Sequence, residues 1–152
     1  MPTRYAGAPK EVRALSAFIK LMRASESLAA RLGAALAGTG VTHGQLAVLE
    51  ALLHVGPMSQ RDLGRKLLRS DANVCTVADN LEKAGLITRE RRADDRRLVE
   101  VSLTKKGRQL IQGLFPGHAR RVTEMMGVLS AEEQELLGRL CKKLGLGVAS
   151  AE

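Results

Sequence analysis

The sequence predicts a mainly α fold (α+β), a winged helix-turn-helix lobe flanked by N- and C-terminal helices. Three observations predict it. Residues 59–84 read as two short helices joined by a tight turn. A hairpin comes directly after them, and its tip spells Ala93-Asp94-Asp95-Arg96-Arg97. Long segments on either side carry apolar residues at helical spacing. A helix with small polar residues on one face, trailed by an arginine-tipped ribbon, suits a duplex with one element per groove.

Residues 1–9 hold two prolines and little apolar character, so a loose arm is expected. From Lys10 to Ala37 the pattern is helical. Leu15, Phe18, Ile19 and Met22 fall at i, i+3, i+4 and i+7, and Leu28, Leu32 and Leu36 continue the stripe. Gly38-Thr39-Gly40 ends it. Thr42 and Gln45 have the spacing of a capping box, and Val41 can staple onto Leu46. Leu49, Leu52 and Leu53 mark the buried side of that second helix, which Gly56-Pro57 stops.

Ser59 caps a short third helix, with Asp62 three residues on and Leu63 and Leu67 as its core contacts. The fourth runs from Ser70 to Gly85. Residues 86–92 and 98–103 read as strands, and in the second Val99, Val101 and Leu103 form one buried face. Thr104 can cap a long helix bearing Leu110, Ile111, Leu114 and Phe115. Pro116-Gly117 should kink or break it before Val122, Met125 and Met126. Ser130 with Glu133 opens a last helix with Leu136, Leu137, Leu140 and Leu144.

The chain of 152 residues is expected to form a single domain, 1–152, with 45% hydrophobic and 26% charged residues. Residues 42–104 make the compact lobe. Segments 10–38 and 105–146 bracket it, and helices from both chain ends that pack together commonly make a two-fold interface, so a homodimer is expected. No apolar run is long enough for a bilayer and no signal-peptide core is present, which predicts a cytoplasmic protein without membrane contact.

Net charge is +8 and the pI near 10.1, which favours an acidic partner, nucleic acid above all. The excess is not concentrated in the motif, because residues 59–104 hold ten basic and eight acidic side chains. Where the arginines sit matters more than the sum.

On a helical wheel Val74, Val77, Ala78, Leu81 and Ala84 gather on one side of the fourth helix. Ala72, Thr76, Asp79, Asn80 and Lys83 fall on the other, with Asn73 at its edge. Asn73 and Asn80 can each donate and accept, as adenine requires, and the Thr76 methyl can meet a thymine methyl. Ser70 as N-cap and Asp71 in the first turn favour the helix dipole, and Asp71 could accept from a cytosine amino group although it repels phosphate. An ordinary amphipathic surface helix would show the same wheel. The hairpin decides between the two: Arg89, Arg91, Arg92, Arg96 and Arg97 crowd it, and guanidinium groups suit a narrow minor groove. Asp95 is placed to fix Arg97 by a bidentate pair.

Other functions find less support. His43, His54 and His118 stand apart in sequence, with no HExxH and no nucleophile motif, so neither catalysis nor a metal or cofactor is expected. Gly38-Thr39-Gly40 begins like a dinucleotide fingerprint, but His43 stands where the third glycine belongs and no strand precedes it. Against an RNA-binding or architectural basic protein, sequence-tolerant single-strand binders stack bases on aromatic side chains, and Tyr5, Phe18 and Phe115 all lie outside the hairpin. A winged helix kept for protein contact alone would have lost the arginines. Cys75 and Cys141 are distant, with no metal spacing, and read as partly buried thiols.

The stretch Asp95-Arg96-Arg97-Leu98-Val99-Glu100-Val101-Ser102-Leu103-Thr104-Lys105-Lys106-Gly107 resembles the D-x-R-x-x-x-V-x-L-T-x-x-G signature of MarR-type regulators. Leu81-Glu82-Lys83-Ala84-Gly85-Leu86-Ile87-Thr88-Arg89 is similar to that family's L-E-x-x-G-L-I-x-R segment. The resemblance implies a homodimer built on the terminal helices, with two DNA-binding lobes. Ser70, Asp71, Ala72, Asn73, Thr76 and Asn80 would face the major groove. Arg91, Arg92, Arg96 and Arg97 would form the wing, with Asp95 holding Arg97. It also implies repression at pseudo-palindromic operators, and in many members release by a small aromatic or phenolic effector. A site near Phe18, Met22, Leu46 and Phe115 is one candidate for that effector, plain core the alternative. Peroxide-sensing members carry a cysteine near the start of the first helix. This chain has none there, which leaves Cys75 as the alternative redox position.

Overall fold

The computed structural model describes residues 4–151, so the first three residues of the expected arm lie outside the described residues. Two compact units are present, Met1–Gly40 and Val41–Glu152. The first is built on α1 (Pro9–Ala35). Proline stands at its first helical position, where no amide hydrogen is needed. Residues 4–8 fold back on it, since Tyr5 Oη and the Ala8 amide each donate to Glu11 Oε2 at 3.1 Å. Gly38 and Gly40 then take left-handed φ of 81° and 76°, which ends the helix.

The second unit contains α2 (His43–Val55), β1 (Met58–Ser59), α3 (Gln60–Leu67), α4 (Asp71–Lys83), β2 (Ile87–Arg91), β3 (Val99–Leu103), α5 (Lys105–Met126) and α6 (Ala131–Ala149). Thr42 and Gln45 form the reciprocal capping box, as do Ser130 and Glu133. Ser59, Ser70 and Thr104 each accept an amide hydrogen at the start of their helices. The core gathers one face from each of α2, α3, α4, β2, β3 and α5: Leu46, Leu49, Leu52, Leu63, Val74, Leu81, Ile87, Val101 and Ile111 are fully buried.

Several expectations change. Strand β1, too short to show any periodicity, pairs antiparallel with β3 through Met58–Val101 and Ser59–Glu100, giving the sheet order β1-β3-β2. With neighbours on both edges β3 loses its clean alternation: only Val101 is fully buried and its other residues are half-covered. Leu67 is half-buried, and Gly64 shares the core side of α3 with Leu63. Ala84 is exposed, because α4 stops at Lys83. Pro116 sits inside one continuous α5 and does not break it. Its ring forfeits a single hydrogen bond, to the carbonyl of Gln112, and that residue is exposed and open to water.

The lobe is tied to α5 by a set of short contacts. Thr104 Oγ1 donates to the Gly85 carbonyl at 2.7 Å and accepts from the Gly107 amide at 3.0 Å. Lys106 Nζ donates to the Ala84 carbonyl at 3.0 Å, where the negative end of α4 attracts a cation. A Cβ at Gly107 would stand 1.9 Å from the Leu86 carbonyl oxygen, so only glycine fits. These contacts account for the T-x-x-G spacing.

Candidate nucleic-acid interface

The turn before α4 is sharp. Leu68 takes a left-handed φ of 51°, costly for a branched side chain, and Ser70 then caps the helix by accepting from Asn73 N at 3.2 Å. Val74, Ala78 and Leu81 fasten α4 to the core. Ser70, Asp71, Ala72, Asn73, Thr76 and Asn80, the residues singled out on the wheel, are all exposed. Thr76 Oγ1 donates to the Ala72 carbonyl at 3.0 Å, and Asn73 Oδ1 accepts from Arg69 Nη1 at 3.2 Å.

In the hairpin, Arg97 Nε and Nη2 donate to the two oxygens of Asp95 at 3.0 and 3.1 Å, the pair anticipated from the spacing. The Arg97 amide also donates to Asp95 Oδ1, at 3.1 Å. The Arg97 side chain is 88% exposed, so its guanidinium is held in place yet open to a partner. Arg92 is bound by Asp94 through contacts of 2.9 and 2.7 Å, and Arg91 Nη1 donates to the Arg96 carbonyl at 2.9 Å. The arginine hydrogen bonds hold the Asp94 and Asp95 carboxyls below their ordinary range and push Arg92 and Arg97 above theirs. Arg96 is exposed at the tip.

Gln60, Arg61, Asp71, Arg97, Leu98 and Val99 line a cleft of about 230 Å³ where α3, α4 and the hairpin meet. Arg61 was not among the residues picked from sequence. The signal was its place at the start of the first helix of a helix-turn-helix, the one that crosses the backbone.

Arg89 parts company with the other hairpin arginines. Its side chain is only 18% exposed and reaches Asp79 and Glu82 of α4, the latter at 3.1 Å. Nη1 also donates to Gln60 Oε1 at 3.4 Å. Glu82 is held below the usual carboxylate range by Arg89, whose own pKa rises further. Asp79, placed on the outward face by the wheel, faces Arg89 instead. This network joins β2, α3 and α4.

A second cluster lies between α2 and α5. The Phe115 ring meets His54 edge-on at 4.7 Å and His118 at 5.9 Å. His43 Nδ1 is buried without a hydrogen-bond partner, and burial pushes His118 below its ordinary value. His54 and His118, which stand apart in sequence, therefore converge on one ring. Among the described residues no group of three or more side chains could hold a metal. Leu46 belongs to the core, whereas Phe18 and Met22 are exposed within their own unit. Both cysteines are exposed, not partly buried: Cys75 lies on the outer side of α4, and α6, which carries Cys141, buries no residue.

A helix-turn-helix braced by an arginine-tipped wing defines a winged-helix regulator of transcription. The MarR family model matches residues 41–99. The HTH-type transcriptional regulator MhqR of Bacillus subtilis (strain 168) is 34% identical over 134 residues, covering 88% of this chain and 92% of that protein. The crystal structure of a probable transcriptional regulator from Pseudomonas aeruginosa is 33% identical with a TM-score of 0.71, covering 82% of this chain and 93% of its own. BpsR of Bordetella bronchiseptica, whose DNA binding is regulated by 6-hydroxynicotinic acid, is 26% identical with a TM-score of 0.75, over 84% and 97% of the two chains. The chain belongs to the MarR family of transcriptional regulators. The family and these relatives are regulators and not enzymes. No helix among the described residues is long and apolar enough to cross a membrane.

Proposed function

We propose that the protein is a cytoplasmic homodimeric repressor that binds a pseudo-palindromic operator in duplex DNA and is released by a small aromatic or phenolic compound. Helix α4 enters the major groove with Ser70, Asp71, Ala72, Asn73, Thr76 and Asn80. The wing, braced by Arg91 and Arg92, brings Arg96 and Arg97 to the minor groove or the flanking phosphates. The observation that carries the reading is Arg97, 88% exposed while its orientation is fixed by Asp95. A guanidinium held forward in this way reaches a phosphate or groove floor with little side-chain entropy left to lose.

Pairing of two copies is supported by Leu136, Leu137, Leu140 and Leu144, all exposed at helical spacing along α6. Apolar area removed from water contributes about 25 cal/mol per Å², which favours covering this stripe with a second chain. Two-fold symmetry then sets half-sites about one helical turn apart. The control of BpsR by 6-hydroxynicotinic acid makes hydroxylated aromatic acids the first effectors to try.

Selection of bound fragments from random duplex DNA, with and without such acids, tests the whole reading. An inverted repeat that the purified dimer retains, and releases on adding one of the acids, is the expected result. A monomer that selects no sequence at low salt overturns it.

A further inference from the structure

Hydrogen bonds made inside the helix-turn-helix give the reading face of α4 a fixed polarity. Arg69 Nη1 donates to Asn73 Oδ1 at 3.2 Å. A guanidinium has donors only, so the amide must turn its oxygen towards Arg69 and leave its NH₂ free. The Asn73 backbone amide is also spent, on Ser70 Oγ at 3.2 Å. Arg69 is half-buried, and its Nη1 would lie 3.7 Å from a Cβ at Gly44, so the cation is lodged beside the first turn of α2. Thr76 is the complement: its hydroxyl hydrogen goes to the Ala72 carbonyl at 3.0 Å, leaving only lone pairs to offer.

We propose that Arg69 sets the base preference of Asn73, making it a donor that selects guanine rather than adenine. The inference rests on α4 reading the major groove. A free asparagine reads adenine by donating to N7 and accepting from the N6 amino group. Here the accepting half is engaged by a cation, and an incoming amino group would also meet the guanidinium's positive charge. Guanine instead presents two adjacent acceptors, N7 and O6, to the two hydrogens of the amide, and its acceptor-rich edge welcomes the nearby charge. Arg69 acts through Asn73 and is a positioning residue.

The test is base selection from random duplex DNA by wild type, Asn73→Ala, Arg69→Met and Arg69→Lys. Asn73→Ala should flatten one position per half-site and so identify the pair that is read. Wild type should prefer guanine there. Arg69→Met, by freeing the oxygen, should shift the guanine-to-adenine ratio about tenfold towards adenine. Arg69→Lys, still a donor, should keep the wild-type preference, an outcome that loss of packing would not produce. An adenine preference in wild type overturns the inference, as does an Arg69→Met protein that binds with an unmoved profile. If Asn73→Ala alters no position while the dimer still selects DNA, this inference fails and the proposed function stands. If wild type selects nothing, the groove reading itself has failed.

Discussion

Arg97 keeps its side chain 88% exposed although both Asp95 oxygens hold it, whereas Arg89, from the same hairpin, is 18% exposed against Asp79 and Glu82. The contrast predicts opposite phenotypes. Arg97→Ala should weaken operator binding by about ten- to a hundredfold at fixed salt with the melting temperature unchanged. Equal affinity in a titration would refute its role. Arg89→Met removes the cation between two carboxylates and leaves them facing each other, so the melting temperature should drop by about 5 °C. Unaltered melting would show the network to be dispensable. Sequence spacing sufficed for the Asp95–Arg97 pair because its partners are two residues apart on one turn. It misplaced Asp79, ten residues from Arg89, because a helical wheel cannot register a strand returning alongside.

Helix starts were legible because their chemistry is local: a serine or threonine oxygen serves an amide three residues on, at Thr42, Ser59, Ser70, Thr104 and Ser130. The outward polar face of α4 was equally plain, being the complement of Val74, Ala78 and Leu81. Strand β1 and the uninterrupted α5 were not legible. The first depends on pairing with a strand some forty residues later, and in the second the surrounding turns outweigh a local breaker. Gly107 shows how element contacts can be tested. A methyl group there would meet backbone, the Leu86 carbonyl at 1.9 Å, and neither side can yield cheaply. Gly107→Ala should therefore destabilise the protein by about 1–3 kcal/mol in urea titration and shift the α4–α5 junction. Because that junction anchors the C-terminal end of the reading helix, affinity should fall with stability. Wild-type unfolding would show that the α4–α5 junction accommodates the methyl group without cost.

At the scale of the molecule, a charge of +8 per chain does not by itself aim the protein at an operator, since residues 59–104 carry nearly balanced charge. Aim comes from the few guanidinium groups left facing outward. Arg92 is committed to Asp94, Arg91 to the Arg96 carbonyl and Arg89 to the α4 acids, which leaves Arg61, Arg96 and Arg97 as the guanidinium groups of the cleft and wing tip that meet phosphates. Three such groups per protomer make six in a dimer. Each neutralised phosphate contributes about 0.9 to the slope of log K against log salt, so a slope near −5 is expected. Arg97→Ala removes two contacts per dimer and should flatten that slope by about 2. Arg120→Ala, on α5 outside the lobe, should leave it unmoved if binding is directed through the helix-turn-helix and wing. A slope that answered equally to both substitutions would mean that the whole basic surface is engaged, as in an architectural protein, and would displace the repressor reading.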